Sequence, residues 1–240
     1  MSLPVAILAG GLATRLRPVT QEIPKSLVEV AGVPFAVHQV IWLRDQGIEH
    51  IVFCVGYRGE MIREALGDGR RWNVAIDYVF DGERLLGTGG ALKRAQSSLG
   101  EAFFVMYGDS FVDCDLRSID AAFRASGCAG LMTVFRNDNR WDRSNVLFVD
   151  GCLLRYDKRS HTPDMRHIDY GIGVLSARAL DPFPPDEPFD LAVVYERLLS
   201  QGELIGFEVF ERFYEIGSPE GLEETRAFLA RARPNAGFTR

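Results

Sequence analysis

The chain has 240 residues, of which 47% are hydrophobic and 25% are charged. These values are those of an ordinary globular protein, and the length allows one large domain or two small ones. The formal net charge of −6 provides no broad basic field for a polyanion, so nucleic acid is not expected as a partner. The four cysteines are far apart, with no CxxC pair. This spacing argues against a zinc site or a disulfide framework and favours buried, reduced thiols.

Targeting signals are not evident in the sequence. The first ten residues have no charged region before their apolar stretch, and no run of about 18 apolar residues occurs. We therefore expect neither a signal peptide nor a membrane span, and a cytoplasmic location.

The predicted elements of the first half alternate between strands and helices. The apolar run Val5–Ala9 ends at two glycines, which is typical of a strand buried on both faces of a parallel sheet. Residues 34–46 have apolar side chains at helical spacing and stop at Gly47. The further predicted elements are a strand at 51–55, a helix at 58–66, a strand at 74–80, a helix from about Gly90 and a strand at 102–107. This order predicts an α/β fold with a Rossmann-like, mostly parallel twisted sheet flanked by helices, whose ligand site lies beyond the carboxyl ends of the strands.

The second half, from about residue 127, is richer in strands. Its β-branched content and alternation predict strands at 130–135, 145–149, 153–156 and 170–175. The sequence Ser218-Pro219-Glu220 is typical of the start of a helix, and residues 234–240 are expected to be a tail. Because no linker composition separates the halves, we predict a single domain over 1–240. The first half would be about 1–126, and a β-rich second half about 127–233.

The loop after the first strand has the residues of a phosphate-binding site. Gly10 and Gly11 let the backbone approach an anion, and Thr14, Arg15 and Lys25 follow with a hydroxyl and two cations. An isolated glycine pair is more often only a turn, with nearby cations in solvent. The loop has neither the GxxxxGK[ST] pattern of a P-loop nor the GxGxxG pattern of a dinucleotide site.

Residues 10–27, which read GGLATRLRPVTQEIPKSL, resemble the signature GGxxTRLxPxTxxxPKxL of sugar-1-phosphate nucleotidyltransferases. The resemblance implies the nucleotide-diphospho-sugar transferase fold and a Mg²⁺-dependent reaction between a nucleoside triphosphate and a sugar 1-phosphate. It implies that Arg15 contacts the β- and γ-phosphates and that Lys25 contacts the reacting phosphates. It also implies a nucleotide-binding loop made of Leu8, Ala9, Gly10, Gly11 and Thr14.

Two further motifs occur in the family's order. Gly87-Thr88-Gly89 resembles the element that packs on the base and ribose, although a turn at a helix start would account for the glycines equally well. Asp109 follows a buried strand, where a carboxylate can hold Mg²⁺ beside phosphate oxygens. An Asp in such a place commonly caps a turn. The family's Gly-Asp pair at this point favours Asp109 as a metal ligand.

Three segments resemble the family less closely. Glu215 occupies the position of the Asp in the late WxDxGTP motif, and its extra methylene puts direct binding of Mg²⁺ in question. Lys158 matches the lysine that holds the sugar phosphate, although Asp157 replaces the usual Glu and the lysine could simply be a solvated cation. Asp169 and Gly171 match the strand that lines the sugar site.

The resemblance implies transfer of a nucleotidyl group to a sugar 1-phosphate. The compact form is most similar to heptose 1-phosphate guanylyltransferases and N-acetylmuramate 1-phosphate uridylyltransferases, and heptose 1-phosphate with GTP is the first choice. N-acetylmuramate or glucose 1-phosphate with UTP, dTTP or CTP are the alternatives. A non-catalytic nucleotide-sugar sensor is a second reading, with Glu215 as the mark of lost chemistry. The sequence contains no hexapeptide repeats, so a fused acyltransferase is not expected. Neither the base nor the oligomeric state can be read from the sequence.

Overall fold

The computed structural model describes residues 2–12, 16 and 19–232. Thr14, Arg15 and the expected tail at 234–240 lie outside these residues. The strands are β1 Val5–Ala9, β2 Glu29–Val30, β3 Val33–Pro34, β4 His50–Val55, β5 Ala75–Phe80, β6 Ala102–Tyr107, β7 Ser110–Phe111, β8 Gly130–Arg136, β9 Val146–Val149, β10 Cys152–Tyr156, β11 His167–Ser176, β12 Leu204–Val209 and β13 Tyr214–Glu215. The helices are α1 Phe35–Asp45, α2 Gly59–Leu66, α3 Gly87–Leu99, α4 Leu116–Ser126, α5 Leu191–Ser200 and α6 Pro219–Ala232.

The central sheet is mixed, and its first half is parallel. The strands β5, β4, β1 and β6 lie side by side in this order, with parallel pairing throughout. Beyond β6 the sheet continues through β11, which is antiparallel to both β6 and β8, and β12 then pairs in parallel with β8. The hairpin of β9 and β10 joins along β11. The mostly parallel sheet flanked by helices confirms the predicted fold class.

The core lies on both faces of this sheet, as the continuous apolar run of β1 predicts. Val5 and Ile7 belong to the hydrophobic cluster on one face and Ala6 to the cluster on the other, and all three are fully buried. Helices α1, α2, α4 and α6 contribute to the first cluster, and α3 and α5 to the second. Burial on both faces holds the carboxyl ends of the parallel strands at one rigid edge.

Several elements were not predicted from the sequence, among them α4, α5 and β12. Asp115 and Asp190 are the N-caps of α4 and α5, where their side chains accept the N–H groups of Arg117 and Ala192. A capping Asp can indicate the start of a helix, but the polar and proline-rich segments beside these two residues are typical of loops.

The structure also shows the state of the cysteines and the lengths of the helices. The four cysteines are free, as expected, but only Cys54 is buried, and Cys152 is exposed. The expectation of four buried thiols is therefore wrong, because Cys152 begins an outer strand of the sheet. Within the described part of the chain, no helix combines the length and the apolar character needed to cross a bilayer.

Candidate active site

A cavity of about 260 Å³ opens at the carboxyl ends of β1, β4, β5 and β6. This is the edge at which an α/β sheet of this kind binds its ligands. The residues around the cavity are Leu8, Ala9, Gly10, Gly11, Lys25, Ser26, Cys54, Asp81, Leu85, Gly87, Thr88, Ala91, Tyr107, Gly108 and Asp109. Most of the nucleotide-site residues predicted from the sequence thus surround one space.

Lys25 and Asp109 meet in this cavity. The Lys25 Nζ atom lies 2.7 Å from Asp109 Oδ2, and the side chains are 15% and 36% exposed. Lys25 begins a single 3-10 turn after Pro24, and Asp109 follows Gly108 just after the end of β6. The contact therefore joins residues that are 84 positions apart. The structure therefore brings together a cation and a carboxylate that were assigned separately to the reacting phosphates and to the metal.

The glycines beside this pair allow close backbone packing. A Cβ atom on Gly108 would lie 2.6 Å from the Leu8 carbonyl oxygen, which accepts a hydrogen bond from the Gly108 N–H. A Cβ atom on Gly10 would lie 3.2 Å from the Gly56 nitrogen. Gly11 is exposed, and no atom of the described residues lies within 4 Å of the position that a Cβ atom there would take. Side chains at Gly10 and Gly108 would therefore crowd the strand ends that form the cavity floor.

The glycine cluster at the start of α3 has two kinds of contact. Gly87 and Thr88 line the cavity, as expected of nucleotide-binding residues. Gly89 is not among the lining residues, and its Cβ would lie 2.3 Å from the Phe189 ring. The N–H groups of Gly89 and Gly90 donate to the Phe189 carbonyl oxygen. Gly89 therefore serves the packing of the loop before α5 in this structure.

The residues predicted for the sugar phosphate lie around the side chain of Tyr107. The Tyr107 hydroxyl donates to Asp169 Oδ2 at 2.9 Å, and Lys158 Nζ lies 5.6 Å from the Tyr107 ring centroid. Lys158 also pairs with Asp190 at 3.3 Å. Gly171 has a φ of +101°, and its N–H donates to Asp169 Oδ1. Tyr107 lines the cavity itself, so it joins the two predicted substrate sites.

Asp169 has a perturbed pKa because of this setting. Burial raises the pKa of its carboxyl group, while the Lys158 charge and the Tyr107 hydrogen bond act in the opposite direction. The pKa of the neighbouring Asp190 is shifted in the opposite direction. Burial raises its pKa too, but the Ala192 N–H and the Lys158 charge outweigh that effect and lower the pKa overall.

Strand pairing brings the backbone of Glu215 close to Asp109, but the Glu215 carboxylate already accepts hydrogen bonds from its own turn. Glu215 pairs with Ser110 between β13 and β7, and the Ile216 N–H donates to the Asp109 carbonyl oxygen. One carboxylate oxygen accepts the Gly217 N–H and the other accepts the Ser218 hydroxyl. In this structure Glu215 thus organises the turn that begins α6.

The residues present fit a magnesium ion held largely by substrate. Within 2–12, 16 and 19–232, no three side chains of His, Cys, Asp or Glu form a metal-binding group. Mg²⁺ needs no such group, because it keeps several waters and binds one or two carboxylates together with phosphate oxygens. Asp109 meets this requirement through its place on the cavity wall.

Asp81 and Tyr107 line the cavity, although the sequence did not indicate either of them as a site residue. Asp81 is 5% exposed and lines the cavity just after β5. Its Asp-Gly sequence reads as a simple turn, and only the parallel pairing of β5 with β4 places it at the site edge. Burial raises the pKa of Asp81, with the Leu86 N–H and the Arg94 charge opposing that rise.

The fold and this site define an α/β protein with a lysine–aspartate pair in a cavity at the carboxyl edge of its parallel strands, and comparison with known proteins identifies its family. The family model described as Nucleotidyl transferase matches residues 5–144. The chain belongs to that family, which confirms the resemblance carried by the motif at 10–27.

One curated relative and two solved structures cover most or all of the chain. The mannose-1-phosphate guanyltransferase of Schizosaccharomyces pombe is 29% identical over 235 residues, which are 95% of this chain and 64% of that protein. The chain thus spans less than two thirds of that relative's length. A Bacillus anthracis structure, provisionally named a glucose-1-phosphate thymidylyltransferase and solved with sucrose, has a TM-score of 0.86 at 21% identity and covers 100% of this chain and 98% of its own. HddC from Yersinia pseudotuberculosis has a TM-score of 0.79 at 25% identity and covers 95% and 100%.

Proposed function

We propose that this protein transfers a nucleotidyl group from a nucleoside triphosphate to a sugar 1-phosphate, with pyrophosphate as the second product. The observation that carries the proposal is the Lys25–Asp109 pair, 2.7 Å apart in a glycine-walled cavity at the edge of a parallel sheet. Membership of the nucleotidyl transferase family supports the same chemistry.

The reaction needs positioning and charge neutralisation more than covalent catalysis. An oxygen of the sugar phosphate attacks the α-phosphorus and forms the new P–O bond. The bond between the α-phosphorus and the bridging oxygen breaks in line with it, and pyrophosphate takes the electron pair. Lys25 would neutralise charge on the reacting phosphates, and Arg15, which lies outside the described residues, is proposed for the leaving pyrophosphate from its sequence motif alone.

Asp109 is the residue proposed to hold Mg²⁺, with Glu215 as a second ligand. When bound there, the ion would lower the negative charge on the phosphates that repels the attacking oxygen. Glu215 would have to release at least one of its hydrogen bonds to Gly217 and Ser218 to bind the metal directly. The Lys25 ammonium group would have to share Asp109 with the ion.

The sugar phosphate is proposed to bind next to Tyr107. Lys158 offers the positive charge and Asp169 offers an acceptor for sugar hydroxyls, with Gly171 beside them at a positive φ that a side chain would strain. The proximity of these groups to the wall of the nucleotide cavity supports this arrangement. Two phosphorylated substrates need cations on both sides of the bond being formed, and Lys25 and Lys158 would supply them.

Heptose 1-phosphate with GTP is our first choice of substrates. The S. pombe relative, named a guanyltransferase, supports the choice of GTP. N-acetylmuramate 1-phosphate and glucose 1-phosphate with UTP, dTTP or CTP are the alternatives to be compared.

The test is a matrix of the purified chain with four nucleoside triphosphates and these three sugar phosphates. Pyrophosphate release and the nucleotide sugar are both quantified, with and without Mg²⁺. Product that requires Mg²⁺ and disappears in Lys25→Ala supports the proposal. Nucleotide-sugar binding without turnover of any pair would instead support the sensor.

A further inference from the structure

The nucleotide cavity has two chemically different ends. Asp109 follows β6 and Asp81 follows β5, and the strand order β6, β1, β4, β5 separates them by three strand spacings, about 14 Å. The Asp109 end has Lys25 and the exposed Gly11, which suit phosphates. The other end has Cys54 and Leu85 as apolar walls, which suit a flat aromatic base.

Asp81 is the charged side chain that lines the apolar end. A Cβ atom added to Gly56 would lie 2.6 Å from Leu85 Cδ2, 2.8 Å from Asp81 Oδ2 and 2.9 Å from the Gly10 carbonyl oxygen. These distances place Asp81 and the leucine around the same point of the wall. Because Gly56 has no side chain, Leu85 and the Asp81 carboxylate occupy the space that a Cβ atom there would need.

One oxygen of the Asp81 carboxylate already has a partner within the fold. Oδ2 accepts the Leu86 N–H at 3.2 Å. Among the residues that the structure describes, no hydrogen bond reaches Oδ1. The Arg94 guanidinium donates to the Asp81 backbone carbonyl oxygen, and its charge lowers the pKa of the carboxyl group against the effect of burial. The Oδ1 atom of this cavity-lining residue can therefore accept a hydrogen bond from a bound ligand, and a hydrogen bond to a carboxylate is stronger than one to a neutral group.

We propose that Asp81 recognises the base of the nucleotide and selects guanine. The inference rests on the proposed function. An ionised carboxylate only accepts hydrogen bonds, and guanine has two adjacent donors, N1–H and N2–H, on its pairing edge. Uracil and thymine have a single N3–H between two carbonyl oxygens, which a carboxylate repels. Adenine and cytosine each have one amino group beside a ring nitrogen that is an acceptor.

The test combines changes in the base with a change in the residue. Catalytic efficiency, kcat/KM, is measured with GTP, UTP, inosine triphosphate and xanthosine triphosphate. Inosine lacks the 2-amino group, so loss of one charge-assisted hydrogen bond should lower kcat/KM about 10- to 100-fold relative to GTP. Equilibrium binding of the same nucleotides is measured in parallel by calorimetry.

The Asp81→Asn variant should gain binding of xanthosine triphosphate. A residue that only supports the Leu86 turn would not cause this gain. Because Leu86 N–H donates to Oδ2, the asparagine keeps its oxygen there and presents its NH₂ group in the place of Oδ1. Xanthine has a carbonyl oxygen where guanine has the 2-amino group. We therefore expect Asp81→Asn to prefer xanthosine triphosphate to GTP. Asp77→Asn is the matched control, because Asp77 is exposed on the same strand and pairs with His50.

Three results would overturn the inference. One is a wild-type enzyme that uses UTP as well as GTP, and the second is an inosine nucleotide equal to GTP. The third is an Asp81→Asn variant that loses all nucleotides by the same factor, since this would mean that Asp81 only supports the Leu86 turn. Absence of turnover with every sugar phosphate would contradict the proposed function, and the binding series would still decide the role of Asp81.

Discussion

Replacing Lys25 with alanine removes the cation that faces Asp109 in the cavity at the carboxyl edge of the sheet. Its side chain is only 15% exposed, so solvent screens its charge weakly. A unit charge about 4 Å from a phosphate oxygen interacts by about 4 kcal/mol at an effective dielectric constant of 20. If most of this interaction develops in the transition state, kcat should fall about 10²- to 10³-fold.

Stability should change little in the same variant. The Asp109 side chain is 36% exposed and stays in contact with water, so loss of the pair should alter the free energy of unfolding by about 1 kcal/mol or less. Steady-state rates of nucleotide-sugar formation and urea denaturation measure the two effects. Lys93→Ala is the matched control, because Lys93 lies on α3 and contacts Gln96. A Lys25→Ala enzyme with at least a third of the wild-type kcat would refute the reasoning.

Three further predictions follow from the other parts of the site. Tyr107→Phe removes a hydrogen bond that lowers the pKa of Asp169. If Asp169 must be ionised to accept sugar hydroxyls, the acidic limb of kcat/KM for the sugar phosphate should move to higher pH. Glu215→Gln should raise the Mg²⁺ concentration needed for half of the maximal rate, because it weakens the proposed second ligand. Gly89→Ala should destabilise the protein by about 1–3 kcal/mol, because the new methyl group would collide with a phenylalanine ring. Gly11→Ala should leave the melting temperature unchanged, because no described residue lies within 4 Å of its new methyl group.

Each of these predictions has a contrary outcome. An unchanged pH profile in Tyr107→Phe would show that its hydroxyl does not influence Asp169 during turnover. A Glu215→Gln enzyme with the wild-type rate and Mg²⁺ requirement would remove Glu215 from the metal site. Equal melting temperatures of the two glycine variants would mean that the loop before α5 moves aside at little cost.

Local patterns in the sequence were sufficient for the parallel half of the fold. Residues 5–9 and 102–107 were predicted as strands with the bounds that the structure has, because a strand buried on both faces is a continuous apolar run bounded by glycine or polar residues. The helix at 35–45 was predicted to within one residue at each end. The helix at 191–200 was missed because it follows the proline-rich segment 182–188, which is typical of a loop, and a single capping Asp190 is weak evidence for a helix.

The sequence by itself indicated the phosphate loop, Lys25 and Asp109, because ordered motifs carry these residue types at characteristic spacings. The tertiary structure alone decided which groups meet. It joined Lys25 to Asp109 across 84 positions, placed Asp81 at the apolar end of the same cavity, and turned the Glu215 carboxylate towards its own turn. The physical reason is that the order of strands in a sheet depends on long-range pairing and packing, and neither is written in any local stretch of the chain.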